Sequence, residues 1–171
     1  MTERSVVLAA AALDSWAAGV TLVTVADGHD DVGATVSAFC PVSTEPPLVL
    51  LSLMDGSYLA EVFGRPDAPG PATEFAVVLL AAGQRVLSGR FAAAGRPGVR
   101  LMLGDVPHRR GPVSGALIVE GGLAALECSA EQVQPAGDHL LVIARVTGVP
   151  YVAEAGEPLI RFRRHYVSSR L

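Results

Sequence analysis

Residues Pro46 to Leu53 read PPLVLLSL, and this stretch decides how we interpret the rest of the chain. Proline fixes φ and has no amide hydrogen, so the pair Pro46-Pro47 enforces an extended backbone. The run that follows is apolar except for Ser52. Such a run is typical of a strand that is buried on both faces. We therefore predict that it lies at the centre of a sheet.

The sequence on either side predicts further strands that follow one another in hairpins. Asp27-Gly28 is a turn signal between two stretches rich in Val and Thr, and a second turn is expected at Pro135 to Asp138. The other predicted strands are Val20 to Ala26, Val32 to Phe39, Phe75 to Leu80, Leu123 to Val133, Leu140 to Val152 and Leu159 to Phe162. Hairpins with few alternating helices favour a mainly β, Greek-key or meander barrel over a parallel sheet.

A few peripheral helices accompany these strands. The predicted helices are Ser5 to about Ala17, with Val6 to Leu13 as its buried face, Ser57 to Phe63, and Gln84 to Ala94. The stretch Gly64 to Pro71 is interpreted as a surface loop, and Arg96 to Gly115 as a mobile segment that can carry a lid. No linker or internal repeat divides the chain, so we expect a single domain over residues 1–171.

Composition narrows the possible partners and locations. The formal net charge of -4 disfavours attraction to nucleic acid or anionic lipid, and half of the residues are apolar, so we expect a subunit interface. No apolar run reaches the roughly 20 residues of a membrane span, and we expect a cytoplasmic protein with no membrane partner. Cys40 and Cys128 are interpreted as small buried hydrophobic residues. Neither they nor the histidines show the spacing of a metal site.

The block Gly33 to Phe39 (GATVSAF), followed by Val42-Ser43 and the Pro-Pro strand, resembles the flavin reductase family. The resemblance continues at Gly56-Ser57, Phe75-Ala76-Val77, Gln84, Leu87-Ser88, Phe91-Ala92, Leu126-Glu127-Cys128 and Gly137-Asp138-His139. It spans nearly the whole chain. It implies an FMN-binding split β-barrel and a homodimer with flavin in a groove near the subunit interface.

The resemblance also implies a set of site residues. It assigns Thr35, Ser37, Ser52 and Leu53 to contacts with the flavin ring, and Ser57 and Ser88 to the flavin phosphate. Val36, Ala38, Val77 and Phe91 complete the cofactor-binding set. His139 is assigned as the catalytic residue, beside the nicotinamide. Taken without the family, these residues are equally consistent with structural roles, since Thr and Ser commonly satisfy turns and a lone histidine at a strand start is more often structural.

Three features depart from the family pattern. Val78 stands where relatives often carry Asn after Phe-Ala-Val, and losing that amide is expected to lower flavin affinity or alter the choice between FMN and FAD. The tail reads Arg164-His165-Tyr166 where relatives commonly have Gly-Arg-Tyr, which weakens any transfer of a nicotinamide-binding role to it. A solvated basic edge strand is the alternative interpretation. The stretch Gly104 to Ser114 looks longer and more basic than usual, and is interpreted as a lid, an extra dinucleotide contact or a disordered surface loop.

The function implied by the resemblance is an NAD(P)H:flavin oxidoreductase. It would pass hydride from NADH or NADPH to FMN or FAD and supply reduced flavin to a partner monooxygenase. Two alternatives stay open, because a fold alone does not settle function. One is a flavin-binding module without reductase turnover. The other is a flavin- or deazaflavin-dependent oxidoreductase that acts directly on a small substrate.

Overall fold

A seven-stranded antiparallel sheet forms the body of the protein. The structure is a computed structural model that describes residues 2–28, 30–65, 73–93, 95 and 97–168; most of the predicted loop Gly64 to Pro71 lies outside these residues. The strands of this sheet are β2 (Thr21–Asp27), β3 (Asp30–Val36), β4 (Phe39–Thr44), β5 (Pro47–Met54), β6 (Glu74–Leu79), β9 (Ala124–Ala136) and β10 (His139–Val152). Their order is β3-β2-β6-β9-β10-β5-β4.

Shorter elements surround this sheet. The helices are α1 (Glu3–Leu13), α2 (Tyr58–Phe63), α3 (Arg85–Ala92) and α4 (Val99–Met102). Strands β1 (Ala18–Gly19), β11 (Leu159–Phe162) and β12 (His165–Ser168) form one small sheet, and β7 (His108–Arg110) pairs with β8 (Leu117–Val119) in another. No helix among the described residues is long and apolar enough to cross a membrane.

The sheet curls until its two end strands meet. β3 and β4 lie at opposite ends of the strand order, yet only Ser37 and Ala38 separate them along the chain. The Ser52 amide on β5 donates to the Ala38 carbonyl at 2.9 Å, so the residues that join β3 to β4 lie against β5. The sheet is therefore a partly closed barrel, which confirms the predicted split β-barrel class.

The apolar core lies on both faces of the central strands. Inside the barrel, Val23, Leu51, Phe75 and Val142 pack with the α2 residue Phe63. On the outer face, residues of β2 and β6 pack beneath α3, α4 and β8, and this cluster includes Leu22, Val78, Leu87, Phe91, Met102 and Ile118. β2 and β6 are thus the strands that are buried on both faces.

The prediction that the Pro-Pro strand lies at the centre of the sheet is wrong. β5 is the second strand from one end, and its side chains alternate. Val49, Leu51 and Leu53 point into the barrel, whereas Leu48 and Leu50 are half-buried on the outer face. The described part of the chain covers that outer face only in part. The apolar run did not mark a strand that this chain buries on both faces, because alternate residues of β5 stay partly exposed.

Two other expectations of burial are also corrected. The α1 residues Val6, Val7, Leu8 and Leu13 are 50% to 77% exposed, although we predicted that they form a buried face. The helix starts at the cap Thr2, not at Ser5. Cys40 is exposed because β4 is an edge strand, whereas Cys128 is buried as predicted.

The segment predicted to be mobile, Arg96 to Gly115, contains α4, β7 and the turn before β8. The carboxylate of Asp31 on β3 is only 1% exposed and binds Arg110 through both of its oxygens, at 2.7 and 2.9 Å. Arg100 Nε donates to the same carboxylate at 2.7 Å. Two ion pairs therefore tie this segment to the barrel, which contradicts the interpretation of Gly104 to Ser114 as a disordered loop.

We predict that Asp31→Asn lowers the free energy of unfolding at pH 7 by about 2 to 4 kcal/mol, because both arginines lose a buried partner. Burial alone would raise the pKa of the Asp31 carboxyl, but hydrogen bonds from Arg110 and Arg100 outweigh it and hold that pKa below its usual value. A lowered folded-state pKa gives stability that is complete above the unfolded pKa and is lost as pH falls through the folded one.

Urea unfolding between pH 3 and pH 7 checks this prediction, over a range set around the usual aspartate pKa of about 3.9. The native protein should lose stability below about pH 4, and Asp31→Asn should lose less of it over that range. Asp105→Asn is the matched control, because Asp105 pairs with Arg90 at the surface. Equal effects of the two variants would contradict the prediction.

Candidate functional site

Two adjoining cavities lie where the ends of the sheet meet. The larger has a volume of about 470 Å³ and the smaller about 370 Å³. Both are lined by Ser37, Arg161 and Arg164, so together they form one groove. The other residues that line the larger cavity are Val20, Ala34, Thr35, Met54, Ser57, Phe91, Ala92 and Tyr166. Those that line the smaller one include Trp16, Ala38, Phe39, Leu50 and Ser52.

The groove brings together six of the predicted cofactor-binding residues. Thr35, Ser37, Ser57 and Phe91 line the larger cavity. Ser37, Ala38 and Ser52 line the smaller one. These residues come from β3, the junction after it, β5 and two helices. Small hydroxyl groups on rigid strands can hydrogen-bond the polar edge of a flat ligand, while Leu50 and Phe39 offer apolar contacts.

Three predicted residues point away from the groove. The exposed fractions of Val36, Leu53 and Val77 are 7%, 4% and 0%, and all three pack inside the barrel. Successive side chains of a strand point to opposite faces, so Val36 lies behind Thr35 and Leu53 lies behind Ser52. Their side chains support the floor of the groove and do not reach its surface.

Ser57 is the cap of α2. Its Oγ accepts a hydrogen bond from the Ala60 amide at 3.2 Å. The hydroxyl proton remains available to a ligand, because accepting one hydrogen bond leaves the donor function of a serine unused. Ser57 therefore lies in the groove with a hydroxyl group that can donate to a phosphate, as its predicted role requires.

Ser88, also predicted to contact a phosphate, lies elsewhere. It is fully buried on α3, and its hydroxyl is 2.7 Å from the Tyr166 hydroxyl. Tyr166 lines the larger cavity, and the Arg85 guanidinium lies 5.8 Å from the centre of its ring. In this structure Ser88 positions Tyr166 and does not itself reach the groove.

His139 lies at the rim. It begins β10 directly after a turn in which Gly137 has φ +66, and it pairs across the sheet with Met54 of the larger cavity. Its Nδ1 is 2.7 Å from the Asp138 carboxylate. This hydrogen bond lowers the pKa of Asp138. Asp138 therefore both forms the turn and fixes the orientation of the His139 ring.

The sequence showed the basic tail but did not place it at the groove. Arg161 and Arg164 line both cavities, and Arg163 lines the smaller one. They reach the groove because β11 pairs with β1 and carries the tail alongside the end of β3. Three arginines within four residues were the available signal.

The donor set fits an elongated, anionic and aromatic ligand. Hydroxyl groups lie along the floor, guanidinium groups along one wall, and apolar side chains between them. Among the described residues, no group of three or more His, Cys, Asp or Glu side chains could hold a metal ion. The groove is therefore suited to an organic cofactor held by hydrogen bonds, ion pairs and stacking.

Comparisons with known proteins agree with this chemistry. A family model described as flavin reductase like domain matches residues 13–170. The reductase component of 4-hydroxyphenylacetate 3-monooxygenase from Thermus thermophilus is 35% identical over 155 residues, which cover 91% of each chain. An NADH-dependent FMN reductase from Streptomyces nodosus is 35% identical over 153 residues, which cover 88% of this chain and 77% of the relative.

A solved structure shows the same architecture. The NADH:FAD oxidoreductase of Streptomyces globisporus, in complex with NAD and FAD fragments, superimposes with a TM-score of 0.83 at 27% identity. The match covers 98% of this chain and 94% of that structure.

Proposed function

The chain belongs to the flavin reductase like domain family, and from that premise we propose that it transfers hydride from NADH or NADPH to FMN or FAD. The observation that carries the proposal is the groove, in which Thr35, Ser37 and Ser52 lie on a rigid barrel wall beside a row of arginines. We place this activity in a single domain over residues 1–171, with the cytoplasm, where nicotinamide cofactors are available, as its compartment.

The protein contributes mainly positioning. When bound, the flavin supplies the hydride acceptor, and the nicotinamide supplies the hydride. Thr35, Ser37 and Ser52 hold the polar edge of the ring, while the buried Val36 and Leu53 keep these strands from shifting. Holding two reactants in a reactive geometry accounts for a large part of a rate enhancement without acid-base chemistry.

His139 orients the nicotinamide in this proposal. The proposed role requires the tautomer in which Nδ1–H donates to the Asp138 carboxylate, since Nε2 is then an acceptor for a carboxamide N–H. Its position opposite Met54 places it at the edge of the larger cavity, where a second ring can stack above the first.

We also propose that the reduced flavin is used by a separate monooxygenase. A relative that matches over nine-tenths of both chains is a reductase component of such a system. The groove opens to solvent at the surface of the barrel, and a flavin held by hydrogen bonds to small side chains can leave after reduction.

We further propose that the protein is a homodimer, because one chain leaves two apolar surfaces partly exposed. Leu50 on β5 and Ile143 on β10 are cross-strand partners on the outer face of the barrel and are half-buried. The exposed apolar residues of α1 add a second surface. The outer-face patch borders the groove through Leu50, so a second copy on it would complete the site. Light scattering should give twice the 17.7 kDa chain mass.

The decisive test is the loss of NADH absorbance by the purified protein with FMN or FAD, beside a control without enzyme. Consumption that requires both protein and flavin supports the proposed function. Flavin binding without consumption would overturn it and favour a binding module. Bleaching of bound flavin by one added substrate, which reduces it with no use of NADH or NADPH, would instead favour an oxidoreductase that acts on that substrate.

A further inference from the structure

Three arginines form one wall of the groove and are hereafter called the arginine cluster: Arg161, Arg163 and Arg164. Arg161 lies on β11, and the other two form the turn between β11 and β12. All three line the smaller cavity. The protein as a whole has a formal net charge of -4, so this cluster concentrates positive charge at the groove of an acidic protein.

The backbone of this turn is strained. Phe162 pairs with His165, so the turn contains only Arg163 and Arg164, whose φ angles are +47° and +66°. Positive φ at both central residues is the type I′ hairpin geometry, which strongly prefers Asn-Gly. Arginine in the left-handed region carries a steric cost that Gly does not. Such strain persists mainly where it serves a site.

The positive charge of the cluster is only partly neutralised within the protein. Arg164 Nε is 2.7 Å from the Asp14 carboxylate. Arg163 Nε is 3.4 Å from the Ser15 hydroxyl, which carries no charge. Within the described ranges, Arg161 has no carboxylate within ion-pairing distance. One carboxylate, Asp14, faces three guanidinium groups, so the cavity can accept an anionic ligand.

An exposed aromatic ring lies on the same cavity. Trp16 is the only tryptophan of the chain, its exposed fraction is 78%, and it lines the smaller cavity together with the cluster. An exposed indole offers a flat face on which a heteroaromatic base can stack. Guanidinium groups bind phosphate oxygens with charge-assisted, often bidentate hydrogen bonds. The smaller cavity can therefore recognise a ligand in which an aromatic base and a phosphate lie close together.

We propose that the arginine cluster binds the 2′-phosphate of NADPH while Trp16 stacks on its adenine, so that the enzyme accepts NADPH and not NADH alone. The inference rests on the proposed function, because it assigns the adenosine half of the hydride donor to one end of the groove. A 2′-phosphate is a phosphate monoester that NADPH has and NADH lacks. Three guanidinium groups that bind it can therefore distinguish NADPH from NADH.

The test uses fragments of the two donors, 2′,5′-ADP and 5′-AMP, as titrants of the full-length protein, with Trp16 fluorescence as the signal. The native protein should bind 2′,5′-ADP at least about tenfold more tightly than 5′-AMP. The double variant Arg163→Asn with Arg164→Gly should lose that preference. It is expected to fold, since Asn-Gly is the favoured pair for this turn.

A matched control removes one arginine elsewhere. Arg65 pairs with Asp27 at the tip of the β2–β3 hairpin. β3 begins beside that tip and ends at Val36, directly before Ser37, so a strand length of roughly 20 Å separates the tip from Ser37. Arg65→Gln should keep the preference for 2′,5′-ADP. Loss of the preference in this variant would overturn the assignment to the cluster.

The remaining outcomes separate this inference from the proposed function. Equal binding of the two fragments by the native protein would overturn the inference, even if the protein oxidises NADH with flavin. A second contrary result is possible: the two fragments bind equally, and the native protein prefers FMN to riboflavin whereas the double variant does not. That result would assign the cluster to the flavin phosphate and would also overturn the inference. Absence of flavin-dependent NADH and NADPH oxidation would overturn the proposed function, whichever fragment binds.

Discussion

Replacing Glu127 with alanine is expected to lower the free energy of unfolding by about 3 kcal/mol or more. This carboxylate on β9 is only 1% exposed. Its Oε1 accepts hydrogen bonds from the Val113 amide at 3.0 Å, the Ser114 amide at 2.7 Å and the Ser114 hydroxyl at 2.8 Å. The truncation leaves these buried donors unpaired and creates a cavity, and the two costs add.

Urea unfolding at pH 7 measures the effect, with Glu127→Gln as the matched control. Glutamine keeps a carbonyl oxygen in place of Oε1 and fills the same volume. Glu127→Gln should therefore lower the free energy of unfolding clearly less than Glu127→Ala does. Gly111→Ala tests the same contact from the other side, because its Cβ would clash with Glu127 Oε1 and the turn must move. A free energy of unfolding for Glu127→Ala within about 0.5 kcal/mol of the native value would contradict this explanation.

Glu127 and Asp31 together tie the long segment after α3 to the barrel. Asp31 holds its middle through Arg100 and Arg110, and Glu127 holds its final turn. Opening that segment would expose two buried carboxylates and break their hydrogen bonds. Its abundance of Gly, Pro and basic residues predicted mobility, but those same arginines are the partners of Asp31. Composition alone does not reveal such a partner at a distance in sequence.

The architecture of the barrel was largely predictable because its signals are local. The Asp27-Gly28 turn, the Val- and Thr-rich strands and the hairpin at Gly137-Asp138 all appear in the structure. The placement of β5 was not predictable from its apolar run. Such a run shows that both faces avoid water, but not whether the same chain or a second copy covers the outer one.

The site residues also fall into those that local motifs predicted and those that depend on contacts distant in sequence. Ser37 and Ser52 belong to contiguous motifs, and the structure brings both to the groove. Ser88 was assigned to a phosphate, but it is bound to Tyr166, which lies 78 residues away in the sequence. The basic wall depends on the pairing of β1 with β11, a contact between opposite ends of the chain. Contacts of this kind leave no periodic signal in the sequence.

His139→Ala is expected to lower kcat/KM for the nicotinamide donor by about 10- to 100-fold, equivalent to about 1.4 to 2.7 kcal/mol. The variant removes the Nε2 acceptor that is proposed to orient the carboxamide. The dissociation constant of FMN should change by less than about threefold, because the side chain is at the rim and lines neither cavity. Steady-state kinetics and a flavin titration on the same preparation separate the two effects.

The control for orientation is Asp138→Asn. Its side chain can still hydrogen-bond His139 Nδ1, but an amide that presents its NH₂ group there favours the other tautomer of the ring, which puts the proton on Nε2. If His139 acts as an acceptor, this variant should lower kcat/KM in the same direction but by less than His139→Ala. If His139→Ala weakens FMN binding as strongly as it lowers kcat/KM, the residue shapes the flavin site and the orienting role is wrong. If neither parameter changes, His139 has only the structural role of a strand-start histidine, held by its neighbour across the turn.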